Sequence, residues 1–292
     1  MASDLVMVAF GYHGEAFHGS QIQPDVKTVQ GALIQALRRL TWWSEDCLEM
    51  ASRTDAGVDV RMNLATIRLP AGLTSTLDPS IISQTLNDHT PEDMVVWRTA
   101  FVPQATCCRF AESRTYLYRT EMIPDCPSDV DIEKFAKACA MVEGEHDFSN
   151  FCRPDAKRSA IRTISSCQPW LSSDGRVIGF SVTGESFLWN QIRRIASAFN
   201  RIVTGDSTLD DLRGALDQPE KRIDLGRAPA DGLVLWSIQH SAFGTHSSAP
   251  PDASGSTSPP DDRRARIRWL SLTRLENSAM LEREWVNLLN RT

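Results

Sequence analysis

The segment from Ser52 to Val58 reads Ser-Arg-Thr-Asp-Ala-Gly-Val, and its residue types could do chemistry. Asp55 follows Arg53 by two residues, and Gly57 permits a tight backbone beside the carboxylate. A carboxylate that a nearby cation keeps ionised can attack an electrophilic carbon. Because an Asp in a glycine-containing loop is more often only a turn-forming residue, the segment by itself leaves both interpretations open.

A second group of candidates lies in the segment from Phe187 to Ile195, which is predicted to begin a helix. It contains the adjacent arginines Arg193 and Arg194, which must point to different faces of that helix. Arginine on a helix is normally a surface residue. It gains a functional meaning where an acid such as Asp55 needs a partner.

Two aromatic residues, Tyr116 and Tyr118, alternate in a segment that begins with Arg114. On a strand, such residues lie on the same face of the sheet. Rings on a sheet can stack on RNA bases. They also simply fill protein cores, and for a single pair the core is the more frequent outcome.

The 292 residues carry a net charge of −6, and 41% of them are hydrophobic. This is the composition of a globular protein, and the negative charge argues mildly against nucleic-acid binding. A phosphate backbone, however, is bound by a local basic surface rather than by total charge. Three groups of cations make a basic cleft plausible: Arg109, Arg114 and Arg119; Arg153, Lys157, Arg158 and Arg162; Arg193, Arg194 and Arg201.

Seven cysteines occur without a C-x-x-C spacing, which disfavours a metal site. The N-terminus lacks the pattern of a secretory signal, and no stretch approaches the roughly 18 apolar residues of a membrane span. The sequence therefore predicts a cytoplasmic protein with free thiols and no membrane partner.

The helices and strands that must position these residues occur in a similar order in the two halves of the chain. The first half is predicted to contain strands over residues 5–12, 47–52, 60–69 and 94–102, with helices opened by Thr28 and by Asp78. The second half is predicted to contain strands over 115–123, 161–171, 176–185 and 233–240, with helices over 132–142, 188–203 and 208–216.

This order predicts an α+β fold made of two ferredoxin-like (RRM-like) halves. The halves, residues 1–104 and 105–240, are expected to form one mixed, mainly antiparallel sheet with helices on one face and a central basic cleft. Residues 241–266 are predicted to be a disordered linker, because most are Gly, Ser, Thr, Ala, Pro or Asp. In the tail, 267–292, apolar residues spaced as on one helix face predict a short amphipathic helix: Leu281, Trp285, Leu288 and Leu289.

In combination, the motifs resemble the TruA family of tRNA pseudouridine synthases. Residues 53–58 match its R-T-D-A-G-V motif residue for residue. The other matching segments follow in family order: residues 11–14, 18–21 and 28–30 (Y-D-G, G-W-Q and T-V-Q), 109–118 (R-F/Y and K-T-Y-x-Y), 144–151 (G-x-H-D-F-x-x-F), 187–194 (F-L-x-x-M-V-R-R) and 228–235 (A-P-x-x-G-L-x-L). Resemblance covers the chain from Leu5 to about His240.

Several positions depart from the family pattern. Asp59 replaces the usual His after R-T-D-A-G-V, Ser20 replaces the Trp, and Asn190 with Gln191 replaces a His-His pair. A second carboxylate at Asp59 would disfavour ionisation of Asp55 unless a cation compensates.

The resemblance implies an enzyme that converts uridine to pseudouridine at positions 38, 39 and 40 of the tRNA anticodon arm. It further implies a homodimer that binds tRNA across both subunits and uses no metal and no organic cofactor. The implied catalytic residues are Asp55, Arg53, Arg193 and Tyr116. The implied substrate-binding residues are Thr54, Gly57, Tyr118, Arg109, Leu233 and Val234.

Two other classes of function are compatible with the sequence. One is a catalytically idle tRNA-binding protein on the same scaffold, for which Asp59 and the missing His-His pair leave room. The other is a hydrolase that uses an aspartyl nucleophile on a small molecule and has no affinity for RNA.

Overall fold

A computed structural model describes residues 4–153, 159–251, 258–260 and 263–290. The chain forms two compact units. Unit 1 comprises Met1–Glu112, Val234–Ser248 and Ser278–Thr292, and unit 2 comprises Ser113–Leu233 and Ala249–Asn277. Residues 105–112, which were predicted to begin the second half, belong to unit 1, and so do two later segments, Val234–Ser248 and Ser278–Thr292.

Unit 1 contains a mixed sheet and two helices. Its strands are β1 (Leu5–Tyr12), β2 (Leu48–Met50), β3 (Asp59–Arg68), β4 (Met94–Phe101) and β9 (Leu233–Gln239), and its helices are α1 (Val29–Arg39) and α2 (Pro79–Asn87). The order is β4-β1-β3-β9, with β2 also on β3. The pairs β1–β3, β1–β4 and β2–β3 are antiparallel, whereas β3–β9 is parallel.

The helix starts in unit 1 follow from local capping chemistry. The Thr28 side chain accepts a hydrogen bond from the Gly31 amide, and the Asp78 side chain accepts one from the Ser80 amide. Each cap satisfies an amide that the first helical turn leaves without a partner. The predicted strand 5–12 and both predicted helix starts are confirmed.

Unit 2 contains an antiparallel sheet in the order β5-β8-β7-β6. Its strands are β5 (Ser113–Tyr118), β6 (Gly144–Asp147), β7 (Ile161–Leu171) and β8 (Val177–Gly184), and its helices are α3 (Ile132–Met141), α4 (Gln191–Thr204) and α5 (Leu209–Asp217). Rings of Phe135, Phe180 and Phe199 contact one another in the core of this unit. The α+β class and the mixed sheet are confirmed.

Three details of unit 2 differ from the prediction. Strand β5 ends at Tyr118, and a 3-10 turn over Thr120–Met122 replaces the predicted end of the strand. Strand β6 was not predicted, because its four residues have no apolar alternation. Helix α4 begins three residues later than predicted, since Asn190 has a φ of 66° and cannot continue a right-handed helix.

The C-terminal helix α6 (Arg263–Leu289) is 27 residues long, so the prediction of a short helix after a linker ending at 266 is wrong. Its buried side chains recur at every fourth position: Trp269, Thr273, Asn277, Leu281 and Trp285. Thr273 and Asn277 are polar and therefore do not contribute to an apolar pattern. Eight residues of the predicted linker, 252–257 and 261–262, lie outside the described residues.

All seven cysteines are free thiols, as predicted. Among the helices that the structure describes, not one combines the length and the apolar character that crossing a membrane requires.

Candidate active site

The R-T-D-A-G-V segment, residues 53–58, is a loop between β2 and β3, here called the Asp55 loop. Asp55 is half-buried, and Arg53 is exposed. Ser52 and Val58, which flank the loop's exposed middle, are buried. The amide of Ser52 donates to Asn63 Oδ1 over 3.2 Å, and Asn63 Nδ2 donates to the Ser52 carbonyl over 2.9 Å. The N-terminal side of the loop is thus joined to β3.

Ser20 holds Thr54, the residue before the candidate nucleophile. The Thr54 amide donates to Ser20 Oγ over 2.8 Å, and the Ser20 amide donates to the Thr54 carbonyl over 3.0 Å. The Tyr12 and Thr54 hydroxyls lie 2.7 Å apart. Ser20 stands where the family pattern has Trp, and an indole could not accept the Thr54 amide because it has no acceptor atom.

Gly14 closes the other side of the loop. The Gly57 amide donates to the Gly14 carbonyl over 3.2 Å, and Gly57 itself has a φ of 80°. A Cβ on Gly14 would lie 2.4 Å from the carbonyl carbon of Val58. The close approach of these two backbones therefore requires glycine at position 14, and the left-handed conformation favours it at 57.

Asp59 begins β3, and its Oδ1 accepts a hydrogen bond from the Gly14 amide over 2.8 Å. It is also the residue of β3 that pairs with Val234 of β9. This carboxylate therefore has a structural partner in the same segment that holds the Asp55 loop.

A cleft of about 300 Å³ adjoins the loop in unit 1, with Arg53, Ser52 and Ser20 on its wall. Arg109, predicted to bind substrate, also lines it and forms an ion pair with Glu49. This ion pair raises the pKa of Arg109 further above its ordinary value. Arg109 is thus partly neutralised by its own chain.

In unit 2, Arg193 lies in the first turn of α4. Its Nε donates to the Ala228 carbonyl over 2.8 Å, and the Ala228 amide donates to the Arg193 carbonyl over 3.0 Å. The carbonyl of Pro229, the residue after Ala228, accepts a hydrogen bond from the Tyr118 hydroxyl over 3.0 Å. Burial raises the pKa of Tyr118, the negative charge of Asp231 adds to this, and Arg193 opposes it.

Both tyrosines of β5 are buried, Tyr118 completely and Tyr116 with a small part of its surface exposed. Tyr116 is 7% exposed, and its ring meets Phe187 edge-on with centroids 5.4 Å apart. Tyr118 is 0% exposed and stacks on Phe180. The buried ring of Tyr118 leaves no surface for the nucleotide contact that was predicted for it.

Burial also removes cations from the predicted basic groups. Arg114 and Arg119 are buried, and Arg119 Nε pairs with Glu121 over 2.6 Å, so the first group does not present three cations to solvent. In the second group, Lys157 and Arg158 lie outside the described residues.

The predicted site residues thus fall into two sets. Unit 1 holds Arg53, Thr54, Asp55, Gly57, Arg109 and Val234, and unit 2 holds Arg193, Tyr116, Tyr118 and Leu233. Leu233 and Val234 are both buried. The ion pair between Asp55 and Arg193 stays a prediction.

Sequence reasoning assigned no role to the residues that position the loop: Tyr12, Gly14, Ser20 and Asn63. They lie in or near segments that match the family pattern, which was the available signal. A hydroxyl that binds a loop 34 residues away, as Ser20 does, leaves no periodic pattern in the sequence.

Comparison with known proteins gives consistent matches. A family described as "tRNA pseudouridine synthase" matches residues 138–241. Proteins named "tRNA pseudouridine synthase A" are similar over most of their length. That of Methanosphaerula palustris is 33% identical over 286 residues, which are 96% of this chain and 91% of that protein.

Two further relatives carry the same name. The Archaeoglobus fulgidus protein is 34% identical over 230 residues, covering 78% of this chain and 81% of its own. The Methanosarcina barkeri protein is 35% identical over 249 residues, covering 80% and 84%. A crystal structure of a Cbf5-Nop10-Gar1 complex overlaps with a TM-score of only 0.34 at 12% identity, covering 65% of this chain and 45% of that chain.

Proposed function

The chain belongs to the tRNA pseudouridine synthase A family, and on this premise we propose that it isomerises uridine to pseudouridine at positions 38, 39 and 40 of the tRNA anticodon arm. The observation that carries this proposal is the Asp55 loop. Asp55 is half-buried, its neighbours Ser52 and Arg53 line a cleft, and three other segments hold the backbone of the loop. A turn-forming Asp would not need such support.

The reaction exchanges one bond for another within a single nucleotide. The target uridine leaves the helical stack, because its C1′ and C5 atoms are inaccessible within it. Asp55 acts on the ribose in one of two ways: it attacks C1′ and forms an ester that breaks when C5 bonds to C1′, or it takes a proton from C2′ and returns it in that later step. The N1–C1′ bond breaks, uracil rotates, and a C5–C1′ bond forms while C5 loses a proton and N1 gains one. Arg53, exposed beside the cleft, holds the displaced nucleotide.

Arg193 is the proposed partner of Asp55. A guanidinium beside the carboxylate would keep it ionised at neutral pH and fix its direction. The hydrogen bond from Arg193 Nε to the Ala228 carbonyl supports this role, because it sets the plane of the guanidinium. Tyr118 supports the same segment from the core through Pro229.

The remaining predicted residues would surround the detached uracil. Tyr116, which is 7% exposed, would stack on the base and assist proton removal from C5. Leu233 and Val234, both apolar and buried, would line the uracil pocket and help exclude water while the base is free.

The same proposal includes two ferredoxin-like halves around a basic cleft, a homodimer and a cytoplasmic location. The order of elements β1-α1-β2-β3-α2-β4, with strands arranged as β4-β1-β3-β2, supports such a half within residues 1–104. The second half, residues 105–240, would share β9 with the first, since β9 pairs with β3.

The test is incubation of the protein with an unmodified tRNA transcript, followed by carbodiimide treatment and mapping of reverse-transcription stops. Wild-type protein should give stops at positions 38 to 40. Asp55→Asn, which keeps the shape of the side chain but not its charge, should give none. Asp88→Asn is the matched control, because Asp88 is an exposed acid of the same unit at the end of α2.

Other outcomes separate the alternatives. Equal stops with Asp55→Asn would remove Asp55 from the chemistry. Wild-type binding of tRNA without stops would identify an idle tRNA-binding protein. Absence of any tRNA binding would favour a small-molecule hydrolase.

A further inference from the structure

Helix α6 reaches the segment that holds the Asp55 loop. Leu281 and Trp285 are buried, and the indole Nε1 of Trp285 donates to the Arg61 carbonyl over 3.1 Å. A Cβ on Gly11 would lie 2.3 Å from that same indole nitrogen. The indole therefore lies directly on the backbone of β1, at a place where only glycine fits.

The contact continues to His13. The His13 ring meets the Trp285 ring edge-on with centroids 4.9 Å apart, and His13 Nε2 lies 2.8 Å from Glu282 Oε1. Among the described residues, His13 Nδ1 has no hydrogen-bond partner. The orientation of this imidazole is thus set by two residues of α6, Glu282 and Trp285.

His13 is covalently joined to Gly14, whose carbonyl accepts the Gly57 amide of the Asp55 loop. The backbone around them has little room to move, because Gly14 lies against the Val58 carbonyl and its amide is bound to Asp59. A shift of His13 would therefore be transmitted to Gly57, two residues from Asp55.

A buried charge anchors the end of α6 in the same place. Arg61 is 4% exposed, its Nε pairs with Glu284 over 2.9 Å, and its guanidinium stacks on Trp236. A buried arginine without its acid would be costly, so this ion pair restricts where α6 can dock.

From these contacts we propose that Trp285 and Glu282 are positioning residues for Asp55, acting through His13 and Gly14. The inference rests on the proposed function for its catalytic consequence, although the mechanical link exists without it. Helix α6 lies beyond residue 241, where the match to the family model ends, whereas the similarity to the Methanosphaerula palustris protein covers 96% of this chain.

The first experiment measures the link without any catalytic assay. Amide hydrogen exchange of the peptide covering residues 53–58 should become several-fold faster in Trp285→Ala and measurably faster in Glu282→Ala. Val286→Ala is the matched control, because Val286 is adjacent on α6 but 53% exposed. Wild-type exchange in both test variants would overturn the proposal.

The second experiment measures catalysis on tRNA at a temperature at which thermal unfolding shows each variant to be folded. Trp285→Ala should lower kcat about tenfold with KM for tRNA little changed, since small misplacements of reacting groups are costly. Glu282→Ala should lower kcat about threefold, as expected for the loss of one hydrogen bond to a partly exposed group. Glu282→Gln should restore kcat, because its amide oxygen can still accept from His13.

The results distinguish two failures. A wild-type protein without synthase activity would refute the proposed function, and the exchange experiment would still decide the link. Wild-type kcat in both test variants, or an equal loss in Val286→Ala, would overturn the positioning role. If Trp285→Ala does not fold, Glu282→Ala tests the positioning role alone. Glu282 is exposed, so its replacement leaves the buried residues of α6 unchanged.

Discussion

The two charged groups of the proposed site are held in opposite ways. Asp55 lies on an irregular loop whose backbone is bound by Ser20, Gly14 and, through Ser52, Asn63. Arg193 lies on a regular helix, and a single backbone carbonyl, that of Ala228, accepts its Nε. The position of the acid depends on segments that are distant in sequence, whereas the cation lies on a helix and binds the Ala228 backbone through its own guanidinium.

This difference predicts how the loss of a contact affects the position of each charged group. Loss of one loop contact leaves the others in place, so its effect on Asp55 should be partial. On the Arg193 side, the guanidinium itself binds the backbone, so a change in that contact acts on the charge directly.

The largest effect is expected from Arg193→Ala. Loss of the proposed partner should lower kcat about 100-fold to 1,000-fold, as for other preorganised electrostatic contacts, while tRNA affinity changes little. Arg193→Lys should be intermediate, because it keeps the charge but lacks the Nε that binds the Ala228 carbonyl and orients the guanidinium. Single-turnover kinetics would measure the loss of rate, and filter binding at equilibrium would measure the affinity for tRNA.

Arg201→Ala, on the same helix, is the control for that prediction, because Arg201 is bound to the Asp224 carbonyl at the other end of α4. An equal loss with this control would mean that helix charge in general, rather than Arg193, is required.

An intermediate effect is expected from Ser20→Ala. The variant leaves the Thr54 amide without its acceptor, which should cost about 1–3 kcal/mol of unfolding free energy and lower kcat about tenfold. Tyr12→Phe removes one hydroxyl contact and should cost only about 1 kcal/mol. Urea titration and kcat on tRNA would test this order, and a larger loss in Tyr12→Phe would reverse our ranking of the loop contacts.

The smallest effect concerns alkaline pH. Burial raises the pKa of Tyr118 above its ordinary 10.0. Below pH 10, Tyr118 is therefore protonated in both the folded and the unfolded chain, and its contribution to the free energy of unfolding is complete. Above pH 10, the unfolded chain loses the proton first, and the free energy of unfolding falls as pH rises.

Urea midpoints between about pH 8 and about pH 11 should therefore fall more steeply in wild type than in Tyr118→Phe. At neutral pH the variant should be destabilised by about 0.5–1.5 kcal/mol, because the Pro229 carbonyl loses its donor. Exchange of the Asp55 loop should not change in this variant, since Tyr118 supports the Arg193 side. Parallel pH profiles in wild type and Tyr118→Phe would show that another group causes the loss of stability at alkaline pH.

Local patterns predicted the elements well where the cause is local. Thr28 and Asp78 cap helices through their own side chains, and the alternation from Leu5 to Tyr12 predicts β1 with its observed bounds. Prediction was wrong where the cause is distant. Helix α6 is 27 residues long, and two of its buried residues, Thr273 and Asn277, are polar and bind Arg119. An apolar periodicity in the sequence therefore does not predict this part of the helix.

By itself, the sequence determined the family, the α+β class and the identity of the candidate nucleophile, because motif residues and short-range periodicity are written along the chain. Only the tertiary structure decided what Ser20, Gly14 and Trp285 do, and that Tyr118 is buried. Those roles depend on contacts between residues far apart in sequence, and a contact of this kind exists only once the chain has folded.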